Sequence, residues 1–99
     1  MDLRQIKRLR DLRQSYLATK FQLIVTELDM AVTFCQLATS TKDLVKAERN
    51  IENAKRAFTA ATHFLQRIAL TTEMRNEVFP RLSRVTAMLR SALSFTTAG

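Results

Sequence analysis

The one glycine in this 99-residue chain is its last residue, and the one proline is Pro80. This scarcity limits the fold more than any motif does. Hairpin turns, sandwich corners and phosphate-cradling loops need residues that reach positive φ or pre-set a turn. Almost none are present, so the chain must be built from helices with short polar connections. Apolar residues make up 46% and charged residues 25%, the balance of a folding chain and not of a disordered one. The length suits one helical domain over residues 1–99 with a single modest core.

Placing residues at 100° intervals locates three amphipathic segments. The first, about 2–39, gathers Leu3, Ile6, Leu9, Leu12, Tyr16, Leu17, Leu23, Ile24, Leu28, Ala31, Phe34, Cys35 and Ala38 into a wide stripe. Thr39, Ser40 and Thr41 interrupt it, and Ser40 with Asp43 reads as the capped start of a second helix over about 42–69. The inner face of that helix is expected to be Leu44, Ala47, Ile51, Ala54, Phe58, Ala61, Leu65 and Ile68, with the alanines letting a neighbour approach closely. Thr71 is the expected cap of a third helix over about 72–95. Its apolar side (Met74, Val78, Leu82, Val85, Leu89, Ala92, Leu93) keeps its phase across Pro80, which argues for a kinked helix.

Short connections make this an all-α, three-helix antiparallel bundle, running up, down and up. The alternative is four helices, with the first segment breaking near Tyr16. At 1.5 Å per residue the three helices span roughly 55, 40 and 35 Å, so the first outruns the second by roughly a dozen residues. That overhang, Met1 to Leu12, interleaves Leu3, Ile6, Leu9 and Leu12 with Arg4, Lys7, Arg8 and Arg10. An apolar stripe without an intramolecular partner is costly to leave in water. The overhang is therefore the expected partner-binding surface, pairing with a second copy as a dimer or docking on an acidic protein. Insertion into a membrane surface is a weaker fit, because the segment carries no Trp or Phe.

The net charge of +7 also suits anionic partners. On the second helix Lys42, Arg49, Arg56 and His63 recur every seven residues, with Lys46 and Arg67 beside them. Such a row could follow the phosphates of a nucleic acid; it also fits an ordinary solvated face, and Glu52 weakens its field. Arg13, Lys20 and Glu27 fall within the apolar side of the first helix, where they would set register, snorkel at the bundle edge, or line a small internal anion site.

Catalytic chemistry finds little material. One His and one Cys supply neither a metal set nor a nucleophile–base pair, so no enzyme activity, no metal and no cofactor are expected. Cys35 points inward as an inert thiol, and a single cysteine gives no argument for an oxidising compartment. No secretory leader is expected at the basic N-terminus. The stretch from Leu17 to Ala38, broken by Lys20, Glu27 and Asp29, reads as a core helix and not as a membrane span. Together these point to a cytoplasmic, non-catalytic interaction or oligomerisation module.

Overall fold

Each helix starts on a side chain that satisfies its free backbone N–H groups. In the computed structural model, which describes residues 2–97, Asp2 opens α1 (Leu3–Ser40) with a reciprocal cap. Its carboxylate accepts from the Gln5 N–H at 2.9 Å while the Gln5 side chain accepts from the Asp2 N–H at 3.3 Å. Asp43 caps α2 (Leu44–Leu65), its Oδ1 accepting from the N–H groups of Val45 and Lys46. Thr71 caps α3 (Thr72–Thr97), its Oγ1 accepting from the Met74 N–H at 3.2 Å. The described residues contain no strand. The fold is thus all-α with three helices, and α1 lies against both others while α2 and α3 touch sparsely.

α1 forms the spine. Its 38 residues form one unbroken helix, so the chain does not break near Tyr16 to make a fourth. The molecule is accordingly long and thin, 65 × 22 × 17 Å. Ile24, Leu28, Ala31, Val32 and Cys35 of α1 meet Ala54, Ala57 and Ala61 of α2 and Val78, Val85 and Leu89 of α3. Ala38, Ile51 and Ala92 close the core at its other end. Because α2 buries mainly alanines, its backbone can approach α1 closely, and the half-buried Phe58, Phe64 and Leu65 fill the margins. No charged or polar side chain is buried among the described residues.

Four sequence expectations need correction. Ser40 does not cap α2; it ends α1, its hydroxyl donating to the Leu37 carbonyl at 3.2 Å, and the Asp43 carboxylate takes the capping position instead. α2 stops at Leu65 and not near 69. The Arg67 N–H donates back three residues to Phe64, which tightens the turn, and Ile68 and Leu70 then fold in against the core from a non-helical segment. Leu44 is 72% exposed, because it opens α2 beyond the end of the core. Tyr16 and Leu23, placed in the inner stripe by the sequence, stand outside it.

A single helix crosses Pro80. Proline supplies no N–H to the carbonyl four residues back. At this turn the Arg81 guanidinium donates to the Glu77 carbonyl through Nη1 at 2.9 Å and to Asp29 Oδ1 through Nε at 3.2 Å. Arg81 thus ties the turn that holds Pro80 to α1 with one side chain.

Candidate functional site

α2 runs back along α1 and ends beside Lys20, whose Nζ lies 4.8 Å from the Phe64 ring centroid and 5.3 Å from that of Tyr16. A cation held over two ring faces at these distances is attracted by both. Lys20 therefore snorkels at the bundle edge and does not sit in the interior. It also marks where the bundle ends: every residue from Asp2 to Tyr16 is exposed. This free part of α1 is about 20 Å long.

The expected partner-binding residues all lie there. Leu3 is 84% and Leu12 60% exposed, with Ile6 and Leu9 less open, and Arg4, Lys7, Arg8 and Arg10 project into solvent with no ion pair among the described residues. The four apolar residues do not make a straight seam. A three-residue step falls short of a helical turn by about 60°. The row therefore begins on the side that continues the core and winds round to the outer edge of α1 at Leu9 and Leu12.

At that edge it meets a second row that the sequence reading missed: Leu9, Tyr16, Leu23, Met30 and Leu37, spaced seven apart along the full helix. All five are exposed, from 38% to 58%. The signal was their common period of seven, offset in phase from Ile24, Leu28, Ala31 and Cys35. Two adjacent apolar rows on one helix merge into a single wide stripe when residues are placed by angle alone.

The basic row is only partly helical. Lys46, Arg49, Arg56 and His63 lie on α2, whereas Lys42 and Arg67 belong to the connections on either side; all six are exposed. Glu52 is engaged next to the row by Lys55 at 3.0 Å. Arg13, Lys20 and Glu27 do not converge on an internal site: Arg13 is exposed and the other two are half-buried. Burial pushes the Cys35 thiol above its ordinary range, as expected of an unreactive core cysteine. Among the described residues no three His, Cys, Asp or Glu side chains group as metal ligands.

By length and composition alone α1 is apolar enough to cross a membrane, although a third of its most apolar stretch is buried in the bundle. Core helices of soluble proteins pass the same test. No protein family, curated protein or solved structure matches the chain.

Proposed function

We propose that the protein is a non-catalytic helical interaction module that self-associates through the free N-terminal part of α1. The observation that carries this reading is the continuation of α1 beyond the end of α2 with Leu3, Ile6, Leu9 and Leu12 uncovered. Full burial of such a side chain is worth about 1.5–3 kcal/mol, and a helix that is already formed loses little backbone freedom when the row is covered. The neighbouring basic side chains favour an interface whose opposite face lacks positive charge. Sedimentation equilibrium of the whole chain and of its Ile6→Asp variant tests the reading. A wild-type dimer that the variant converts to monomer supports it, and a wild-type monomer contradicts it.

A second reading rests on the exposure of Lys46, Arg49, Arg56 and His63 along one side of α2. In it the protein follows a nucleic-acid backbone through phosphate contacts. Such binding falls steeply with salt. If Arg49→Glu with Arg56→Glu left the affinity for a duplex unchanged, the row would be a solvated face only.

A further inference from the structure

We infer that the partner of α1 is a second copy of α1 lying antiparallel to it, seated on the row Leu9, Tyr16, Leu23, Met30 and Leu37. This rests on the self-association reading and specifies its geometry. Residues seven apart drift only about 20° around a helix, so this row is a nearly straight seam of the kind that two supercoiled helices bury between them. It runs about 42 Å. Neither α2 nor α3 covers it, since all five side chains are exposed.

Charge selects the occupant and its direction. The N-terminal half of α1 carries Arg4, Lys7, Arg8, Arg10, Arg13 and Lys20 against Asp2 and Asp11. From Phe21 to Thr41 there is no Lys or Arg at all, in a chain that holds sixteen, and the charged residues of that stretch are Glu27 and Asp29. Parallel pairing would set the basic halves against each other. Antiparallel pairing sets each basic half against the Lys- and Arg-free half of the other copy, where Glu27 stands and Asp29 is already shared with Arg81 of α3, next to the negative end of its helix dipole. With Leu23 of one copy level with Thr26 of the other about the two-fold axis, Lys20 comes within two residues, about 3 Å along the axis, of level with Glu27 of the second copy, and each contact occurs twice by symmetry.

The same register gives the overhang a destination. Leu12 of one copy comes level with Leu37 of the other, and Leu9 with Ser40. Leu3 and Ile6 therefore reach the start of the other copy's α2, where Leu44 and Val45 are 72% and 65% exposed. A seam about 42 Å long and 10 Å wide is about 400 Å², about half of what a stable interface buries on each partner. The overhang, lying on the neighbouring α2, supplies further area at both ends.

The test uses the full chain with Cys35→Ala and spin labels on Asp11→Cys, together with the sedimentation of Met30→Asp and Leu37→Asp. These two surface changes leave the core intact, which circular dichroism checks. The expected result is a dimer with labels about 40 Å apart, and a dissociation constant raised at least about tenfold by either aspartate. Labels within about 20 Å, the separation of neighbouring parallel helices plus label arms, would overturn the inference. A dimer split by Ile6→Asp but indifferent to Met30→Asp and Leu37→Asp would overturn it too, while leaving the overhang as the self-association element. A monomer throughout would overturn both readings, and co-sedimentation of that monomer with phosphatidylserine-containing vesicles would assign the face to lipid instead.

Discussion

Pro80 is exposed in the interior of α3 and offers no N–H to the Asn76 carbonyl, while Arg81 beside it donates to the Glu77 carbonyl one residue on. A helix-interior proline costs about 3 kcal/mol relative to alanine. Pro80→Ala should therefore stabilise the fold by about 1–3 kcal/mol in urea unfolding. Arg81→Ala should do the opposite but weakly, since both partners of its ion pair are more than a third exposed and such pairs contribute about 0–1 kcal/mol. Cys35 makes a prediction in pH. Its folded thiol binds its proton more tightly than the unfolded one, whose ordinary value is 9.0. The stabilising term is therefore complete below that pH and is lost as pH rises past it, because the unfolded thiol ionises first. In parallel alkaline titrations of stability, Cys35→Ala should decline less steeply above pH 9 than the parent chain. Equal slopes would remove the thiol from the account.

At the scale of the elements, caps and alanines govern the geometry. Asp43→Ala frees two N–H groups of α2 and should cost about 1 kcal/mol. Ala54→Leu, at a site with no exposed surface where α2 meets α1, should cost about 1–3 kcal/mol by forcing the helices apart. The element count, the Thr71 cap and the alanine face of α2 were legible in the sequence, because each depends on local chemistry or on one helical period. The end of α2 was not. Ile68 keeps the phase of the inner face whether the backbone there is helical or folded back, so periodicity cannot distinguish the two. The row from Leu9 to Leu37 was hidden for a related reason, since its neighbours in the core stripe lie close enough in angle to absorb Tyr16 and Leu23. The overhang was readable from helix lengths alone, and charge patterning along α1 was there to be read but gains meaning only once the exposed face is known.

For the molecule as a whole, the shape follows from one helix being longer than the others. The radius of gyration is 17.5 Å, against about 13 Å for a compact chain of this length. α1 has a bundled half and a free half, and on dilution the amides from Leu3 to Tyr16 should exchange far faster than those from Ile24 to Ala38, the stretch of α1 that packs against α2 and α3. Association should slow exchange in the first group and leave the second nearly unchanged. Light scattering of the full chain at low and at high salt decides whether the uncovered helix makes this a self-associating module. Twice the 11.4 kDa chain mass is expected at both, since burial of apolar surface withstands screening. A mass of 11.4 kDa at both salts would contradict it.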